Sequence, residues 1–259
     1  MVDITHKIIT KRTATAQAIV KVGSQATMQA ILNNTVPKGN VLEVARTAGL
    51  FAVKNTSNSI PDCHPMPIEF TGIEYEFLED SIVINITVKA IYRTGVEVEA
   101  MHGASIVALT MYDMLKPIDK QVEISTIKLI HKKGGKSDFG VKEKMDLSVA
   151  VMVCSDSVAS GEKEDRAGKV ISDKIKTLGL SVSNYTVIPD EVKDIQETIT
   201  KFCESNKDLV IITGGTGLSN RDVTPEAVIP MLDRRIPGIE EAIRSYGQDR
   251  TPYAMLSRS

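Results

Sequence analysis

SIVINITVKAIY, residues 81–92, alternates between apolar and polar side chains along its whole length. One face carries the apolar side chains of Ile82, Ile84, Ile86, Val88 and Ala90. The opposite face carries Asn85, Thr87 and Lys89. Successive side chains of a strand point to opposite faces, so the pattern predicts an antiparallel strand with one buried face. Shorter alternations at residues 73–77 and 12–22 predict two further strands.

Three helical patterns lie between and after these strands. Ser24 and Asn40 precede two of them and are suited to cap the first turns with a side-chain oxygen. The third pattern runs from about Val96 to Leu115, and Pro117 ends it because proline cannot donate the next backbone hydrogen bond. Antiparallel strands with helices on one face predict an α+β domain, which we expect to be ferredoxin-like.

The character of the chain changes at HKKGGKSDFGVKEKMD, residues 131–146, which is polar and rich in charge, as a linker is. We place a first domain at residues 1–139, a linker at 140–146 and a second domain at 147–259. LSVAVMVC, residues 147–154, is nearly continuously apolar, and alternating helices and strands follow it. This order predicts an α/β domain with a mostly parallel, three-layer sheet and right-handed crossovers.

The composition excludes several classes of protein. The chain has 4% aromatic residues, no Trp and a formal net charge of -2, so it lacks the basic, aromatic surface of a nucleic-acid binder. No apolar segment approaches the ~20 residues of a membrane helix, and no signal peptide is visible. Cys63, Cys154 and Cys203 are far apart, which argues against structural zinc. We expect a cytoplasmic protein that acts on small molecules.

Three segments of the first domain concentrate side chains that can transfer protons or bind phosphate. They contain Lys38, the pair Cys63 and His64, and a helix with Glu97, Glu99, Asp113 and Lys116. Asp113 and Lys116 are three residues apart and therefore share a helix face. Each feature alone has a plainer explanation, because such an ion pair is ordinarily a solvated surface pair, and a lone loop lysine or histidine is ordinarily structural.

Taken in order along the chain, these segments resemble the cyclic pyranopterin monophosphate synthase family, MoaC. The resemblance covers nearly all of residues 1–139. It includes MVDIT at the start, PKGN with the helix that follows it, IPDCHP, TGVEVEA, ALTMYDMLK and KGGKSDF. Each motif alone is a weak signal, but the order and spacing of all of them together make the resemblance specific.

The resemblance implies a lyase that converts 3′,8-cyclo-7,8-dihydroguanosine triphosphate into cyclic pyranopterin monophosphate with release of pyrophosphate. The family's catalytic positions match Asp113, Lys116, Lys38 and Lys132. Its substrate-binding positions match Arg12, Cys63, His64, Glu97 and Glu99. Cationic side chains suit a triphosphate, and a lysine crowded by other cations has a lowered pKa that favours acid–base use. The family builds its site between subunits, which implies a hexameric or trimer-based homo-oligomer.

In the second domain, IITGGTGLSNRDVTPEAV, residues 211–228, joins an apolar strand to a helix through Gly214, Gly215, Thr216 and Gly217. Such a turn can expose backbone N–H groups to an anion, although it can equally serve tight packing. The motif matches neither the P-loop nor the dinucleotide-binding pattern. Carboxyl ends of parallel strands meet at one edge of a sheet, so we expect Ser155, Asp156 and the glycine loop to lie together.

Residues 147–259 resemble the MogA/MoaB family of molybdopterin adenylyltransferases, on the motifs VCSDSVASGEKEDRAG, VIPDE and TGGTGLSNRDVTPEA. The resemblance implies pterin and nucleotide binding by Asp156, Asp190, Gly214, Gly215, Thr216, Gly217, Ser219 and Asp222. Clustered carboxylates beside a triphosphate suggest Mg²⁺, and no tightly bound cofactor is expected. The chain stops at YAMLSRS, before the family's last strand and helix, so we expect an incomplete domain. Its activity stays open between adenylyl transfer and a non-catalytic pterin-binding scaffold.

Overall fold

The computed structural model describes residues 1–135, 138 and 146–258 and divides the chain into two compact units. Unit 1 is Met1–Gly140 and unit 2 is Val141–Ser259. The linker expected at 140–146 lies outside the described residues except for Asp146. So do residues 136, 137 and 139 of the KGGKSDF motif and the expected domain end at 259. None of the described helices combines the length and the hydropathy needed to cross a bilayer.

Unit 1 is built on a four-stranded antiparallel sheet in the order β2-β3-β1-β4. Its strands are β1 (Thr10–Lys21), β2 (Phe70–Phe77), β3 (Ser81–Tyr92) and β4 (Glu123–Lys133). β1 and β3 pair over their full length, from Thr10 opposite Tyr92 to Lys21 opposite Ser81. The strand predicted at 81–92 is therefore confirmed with the same bounds, and it is an inner strand of the sheet.

One face of this sheet is buried and the other carries paired polar side chains. On the buried face, the two inner strands place Ala14, Ala16, Ala18, Val20, Ile82, Ile84, Ile86 and Val88 in the core. On the opposite face, the hydroxyl groups of Thr15 and Thr87 lie 2.9 Å apart, and Gln17 donates to Asn85 at 3.1 Å. The period of two in the sequence thus separates core from solvent, as an antiparallel sheet with one covered face requires.

The helical layer of unit 1 consists of α1 (Gln25–Leu32), α2 (Val41–Lys54), α3 (Thr56–Ser59) and α4 (Glu97–Leu115). Both predicted caps are confirmed. The side chain of Ser24 accepts a hydrogen bond from the Thr27 N–H at 3.3 Å, and that of Asn40 accepts one from the Glu43 N–H at 3.0 Å. Each bond satisfies a backbone donor that the first turn of a helix leaves without a partner.

Helices α2 and α4 pack against each other at two glycines. A Cβ atom on Gly103 would lie 2.5 Å from Val53 Cγ2, and one on Gly49 would lie 2.4 Å from Val107 Cγ2. Both distances are too short for real atoms, so the missing side chains set the spacing of the two helices. This spacing fixes the loop before α2, which carries Lys38, relative to the C-terminal end of α4.

Unit 2 contains a three-stranded parallel sheet in the order β6-β5-β7. Its strands are β5 (Ser148–Cys154), β6 (Ser181–Ile188) and β7 (Leu209–Thr213). Its helices are α5 (Asp156–Ala159), α6 (Ala167–Thr177), α7 (Val192–Glu204), α8 (Thr224–Val228) and α9 (Pro237–Gln248). The predicted alternation of strands and helices is confirmed.

β5 is buried on both faces, as its continuous apolar sequence predicts. Met152 belongs to one core cluster with Ile195 and Phe202 of α7, whereas Val151 belongs to another with Ile175 of α6. Neighbouring residues of a strand point to opposite faces, so these two clusters lie on opposite sides of the sheet. Helices therefore cover both faces of the parallel sheet.

Gly103→Ala tests the close packing of α2 on α4. The added methyl group meets Val53, so we expect the free energy of unfolding of unit 1 to fall by about 1–3 kcal/mol. Ser105→Ala, also in α4, is the control and should change that free energy by less than about 0.5 kcal/mol. Urea denaturation followed by circular dichroism measures both changes. Unchanged stability of the Gly103→Ala protein would contradict the close contact.

Candidate functional sites

The C-terminal end of α4 carries a carboxylate that is held by two lysines. Asp113 Oδ2 accepts a hydrogen bond from Lys38 Nζ at 2.7 Å, and Asp113 Oδ1 lies 2.7 Å from Lys116 Nζ. Lys116 follows one turn later, whereas Lys38 comes from the loop before α2, 75 residues earlier in the chain. All three side chains are accessible to solvent. The cluster carries two positive charges and one negative charge and is open to an anionic ligand.

The lysines decide the protonation of this cluster. Hydrogen bonds from Lys116 and Lys38 lower the pKa of Asp113 to about 2, and the bond with Asp113 raises the pKa of Lys116. From the sequence, crowding by cations is expected to lower a lysine pKa. In a single copy of the chain the partner of Lys116 is a carboxylate, which raises the pKa instead. At neutral pH, Asp113 is therefore an anion, and the protons that this cluster can donate are on its lysines.

The N-terminal end of α4 carries two carboxylates with different surroundings. Glu97 Oε1 lies 3.5 Å from Lys132 Nζ of β4. Glu99 is 2% exposed, and its Oε1 accepts a hydrogen bond from Cys63 Sγ at 3.0 Å. Burial raises the pKa of Glu99, and its Oε2 has no hydrogen-bond partner among the described residues. Burial, followed by the bond to Glu99, raises the pKa of the Cys63 thiol to about 12. Cys63 is therefore a neutral hydrogen-bond donor at neutral pH.

Arg12 and His64 contact backbone atoms near this end of α4. Arg12 is buried and donates to the carbonyls of Tyr92 and Arg93 at 3.1 and 3.2 Å. His64 Nε2 lies 2.8 Å from the Val2 carbonyl oxygen. In a single copy of the chain these contacts fix the segment that leads into α4 and the N-terminal segment. The substrate-binding role expected for both side chains stays a prediction.

α4 separates the expected site residues into two groups. The helix runs 19 residues from Glu97 to Leu115, so Glu97 and Asp113 are about 24 Å apart at ~1.5 Å per residue. We call Lys38, Asp113 and Lys116 the Asp113 half-site. We call Cys63, Glu97, Glu99 and Lys132 the Glu97 half-site. A single copy of unit 1 does not bring Lys132 to the other three residues expected to be catalytic.

In unit 2, the carboxyl ends of β5 and β6 carry two aspartates that bind each other's backbone. The Asp156 N–H donates to Asp190 Oδ2 at 3.1 Å, and the Asp190 N–H donates to Asp156 Oδ1 at 3.0 Å. Asp190 is 8% exposed, and its Oδ1 has no hydrogen-bond partner among the described residues. Burial raises the pKa of Asp190, and the nearby negative charge of Asp156 raises it further. Asp190 is thus the carboxyl group of this edge that most needs a hydrogen-bond donor or a cation.

The glycine loop, residues 214–217, meets these aspartates, as expected for the carboxyl edge of the sheet. Gly214 and Gly215 have φ values of +95° and +59°, in the left-handed region that favours glycine. A Cβ on Gly214 would lie 2.0 Å from the Cys154 carbonyl oxygen, and one on Gly215 would lie 2.5 Å from Asp190 Oδ1. Only glycine allows the loop to approach the strand end and Asp190 this closely.

Hydrogen bonds around the glycine loop involve its carbonyl groups rather than the N–H groups of residues 215–217. The carbonyls of Thr216 and Gly217 accept hydrogen bonds from Arg258 N at 3.1 Å and Arg258 Nε at 2.7 Å. Asp222 Oδ2 accepts one from the Ser219 N–H at 2.9 Å and closes the turn after the loop. Among the described residues, nothing accepts a hydrogen bond from the N–H groups of residues 215–217. Such groups form a binding place for an anion.

Arg221 binds two carboxylates of unit 2 and was not among the residues expected at the site. Its Nε and Nη2 donate to Asp156 Oδ2 and Oδ1, both at 3.0 Å, and its Nη1 lies 2.9 Å from Glu191 Oε1. The sequence does mark Arg221 as a candidate, since it is the one lysine or arginine in residues 211–228. The sequence alone does not show which carboxylates lie within reach of its side chain.

The carboxylates of unit 2 do not fit the expected Mg²⁺ in this arrangement. Within residues 1–135, 138 and 146–258, no three His, Cys, Asp or Glu side chains are placed to hold a metal ion. Both Asp156 oxygens bind Arg221, whose guanidinium therefore stands where a cation would compensate this charge. Magnesium and Arg221 would compete for the same carboxylate.

Thiol alkylation tests the protonation of the Glu97 half-site. At pH 8.5 we expect iodoacetamide to modify exposed Cys203 first and Cys63 far more slowly, because the Cys63 pKa is raised to about 12. Glu99→Gln removes the carboxylate that contributes to this shift, so alkylation of Cys63 should become faster, by about tenfold for each unit of pKa lost. Peptide mass spectrometry follows each cysteine, and the rate at Cys203 is the internal control. Equal rates at Cys63 in both proteins would contradict the assignment.

Comparison with known proteins matches each part of the chain to a family. Residues 1–135 match the MoaC family, and residues 150–259 match a family described as probable molybdopterin binding domain. The chain is 39% identical over 258 residues to the molybdenum cofactor biosynthesis bifunctional protein of Chlorobaculum tepidum, an alignment that covers 100% of this chain and 81% of that relative. It is 48% identical over 139 residues to the cyclic pyranopterin monophosphate synthase of Clostridium perfringens, across 53% of this chain and 87% of that relative.

Among solved structures, a molybdopterin biosynthesis protein from Mycobacterium abscessus is 35% identical, with a TM-score of 0.42 over 43% of this chain and 71% of that one. The two family matches lie on either side of the region in which the structure divides its two units. The chain therefore belongs to the MoaC family, and a second domain of the probable molybdopterin binding family follows its MoaC domain.

Proposed function

We propose that unit 1 is a cyclic pyranopterin monophosphate synthase of molybdenum cofactor biosynthesis, a lyase that converts 3′,8-cyclo-7,8-dihydroguanosine triphosphate with release of pyrophosphate. The observation that carries the proposal is the Asp113 half-site, in which Lys38 and Lys116 each approach Asp113 to 2.7 Å in an accessible cluster. Membership of the MoaC family and the name of the 48% identical relative agree with this reaction.

The lysines and carboxylates of the two half-sites suit different parts of this substrate. Lys38, Lys116 and Lys132 neutralise the triphosphate through charge-assisted hydrogen bonds, and the same ammonium groups stabilise the charge that develops on the leaving pyrophosphate. Glu97 accepts hydrogen bonds from the donor edge of the guanine-derived ring. Asp113 remains ionised and orients its two lysines, so a lysine ammonium supplies protons to the rearranging ring.

Two copies of unit 1 complete the active site. The half-sites of one copy are about 24 Å apart, which is further than one nucleoside triphosphate reaches. The outer face of α4 carries exposed apolar side chains at helical spacing, namely Val98, Leu109 and Tyr112. Antiparallel pairing of two such helices buries this stripe and sets the Asp113 half-site of one copy against the Glu97 half-site of the other.

Three further features belong to the same proposal. The order β2-β3-β1-β4, in which each helical connection joins strands separated by one antiparallel neighbour, supports a ferredoxin-like topology. A hexameric or trimer-based homo-oligomer would supply the second copy of each half-site. A cytoplasmic location fits a substrate derived from a nucleoside triphosphate.

Binding of a pterin by unit 2 is a second proposal. It is favoured by the glycine loop, whose N–H groups at residues 215–217 lack acceptors among the described residues and which approaches the buried Asp190 at Gly215. The description of the matching family, probable molybdopterin binding domain, agrees with it. The proposal is binding alone, because the loop N–H groups and Asp190 Oδ1 are binding groups and do not by themselves transfer an adenylyl group.

Asp113→Asn and Lys116→Ala test the assignment of the Asp113 half-site. Each removes a charged group, so pyrophosphate release should fall by at least about 100-fold. About half of each side chain is exposed, so circular dichroism should show an unchanged fold. Lys120→Ala removes an exposed lysine four residues after Lys116 and should keep wild-type turnover. Full turnover in both half-site variants would refute the assignment.

Mixing inactive variants tests whether two copies share each site. Asp113→Asn and Lys132→Ala should each be inactive alone, yet a mixture should regain turnover, up to roughly one quarter of wild type for random pairing. The gain arises because one site of each mixed pair receives two intact half-sites. A mixture of Asp113→Asn with Lys116→Ala is the control and should stay inactive, since both changes lie in one half-site. No recovery after proven subunit exchange would contradict a shared site.

A further inference from the structure

The guanidinium of Arg221 is held in unit 2 by carboxylates that are themselves exposed. It makes its three donor contacts with Asp156 and Glu191, whose side chains are 45% and 54% exposed, and 55% of the Arg221 side chain is exposed. Exposed ion pairs contribute little to stability, because water solvates the separated charges nearly as well. The bidentate bond to Asp156 is stronger than a single exposed ion pair, but all three contacts are with side chains that a ligand can reach, so a ligand with stronger acceptors can displace them.

The other arginine beside the glycine loop is held differently. Arg258 donates to the backbone carbonyls of Gly217 and Asp222 and pairs with Glu226, and about one third of its side chain is exposed. Backbone carbonyls cannot move away without unfolding the turn, so Arg258 is a fixed part of the loop. The guanidinium of Arg221, in contrast, contacts side chains alone.

A chain of contacts joins Arg221 to the glycine loop. Asp156, which Arg221 binds, exchanges two hydrogen bonds with Asp190, each from the backbone N–H of one residue to the carboxylate of the other. Asp190 Oδ1 in turn lies 2.5 Å from the place where Gly215 would carry a Cβ, and this buried oxygen has no hydrogen-bond partner among the described residues. Asp156 and Asp190 thus connect the guanidinium of Arg221 to the glycine loop.

The charge balance around the loop opposes an anion while Arg221 stays in place. Asp190 and Asp222 lie next to the loop, Asp156 is hydrogen-bonded to Asp190, and Glu191 follows Asp190 in the chain. A phosphate group at the loop is repelled by them unless a cation turns towards it. A guanidinium binds two phosphate oxygens at once through charge-assisted hydrogen bonds, and a phosphate monoester carries more negative charge than either carboxylate that it would replace.

We propose that Arg221 is the cation that binds the ligand's phosphate group at the glycine loop. In the ligand-free unit, its guanidinium binds Asp156 and Glu191 instead. On binding, the guanidinium exchanges two carboxylates for phosphate oxygens, and no covalent bond changes. This inference rests on the pterin-binding function proposed for unit 2. It names the chemical group of the ligand that determines binding, a phosphate monoester, and the residue that recognises it.

A double-mutant cycle on the full chain tests the exchange, with molybdopterin as the probe in an anoxic fluorescence titration. Arg221→Gln should weaken binding about 10- to 100-fold, because the charge-assisted bonds to the phosphate are lost. Glu191→Gln should strengthen binding about two- to fivefold, because it releases the guanidinium from one partner. In the Arg221→Gln background, Glu191→Gln should change the affinity by less than about 1.5-fold, because no guanidinium is left to release.

Two controls separate this account from plainer explanations. Glu197→Gln removes an acid of α7 that pairs with Lys193, and it should leave the affinity unchanged. Molybdopterin from which the phosphate has been removed should bind equally well to the wild-type and Arg221→Gln proteins. A preserved penalty for Arg221→Gln with this ligand would overturn phosphate recognition by Arg221.

The cycle also distinguishes exchange from simple electrostatics. An equal gain from Glu191→Gln with and without Arg221 would overturn the proposal, since removal of a negative charge would then explain the gain. Failure of the wild-type chain to bind molybdopterin would instead overturn the binding function of unit 2 itself. A wild-type chain that binds, with a gain confined to the protein that retains Arg221, supports both.

Discussion

The length of α4 is the constraint on which the account of unit 1 depends. The helix packs on the sheet and against α2 at Gly49 and Gly103, so it cannot shift or bend to bring its ends together. It carries Asp113 and Lys116 at one end, where Lys38 of the loop before α2 joins them, and two glutamates at the other end. A reaction that needs all of these groups at one nucleotide therefore has to draw them from two helices.

The two units place charge in different ways. Unit 1 sets whole charged side chains beside the ends of one long helix, where Lys38, Asp113 and Lys116 are exposed. Unit 2 uses backbone groups, since its glycine loop approaches a buried Asp190 and keeps N–H groups without acceptors among the described residues. The first arrangement suits a ligand with several negative charges. The second suits a single anionic group in a shaped turn.

Local sequence patterns predicted the elements of both units, whereas contacts between distant residues could not be predicted in the same way. The period of two at 81–92 gave the bounds of β3, because one face of that strand is buried. Lys38 meets Asp113 across 75 residues and Cys63 meets Glu99 across 36, and no local pattern encodes these pairs. The resemblance to MoaC named such residues but not the carbonyl partners of Arg12, which depend on the register of β1 and β3.

A crystal structure of the oligomer with the cyclic triphosphate bound to the Asp113→Asn protein, which should bind substrate without turning it over, tests the central claim most directly. Two copies of the chain should contact each substrate molecule. Lys38 and Lys116 should come from one copy, and Glu97 and Lys132 from its neighbour, all within hydrogen-bond distance of the ligand. A substrate molecule contacted by one copy alone would contradict the account.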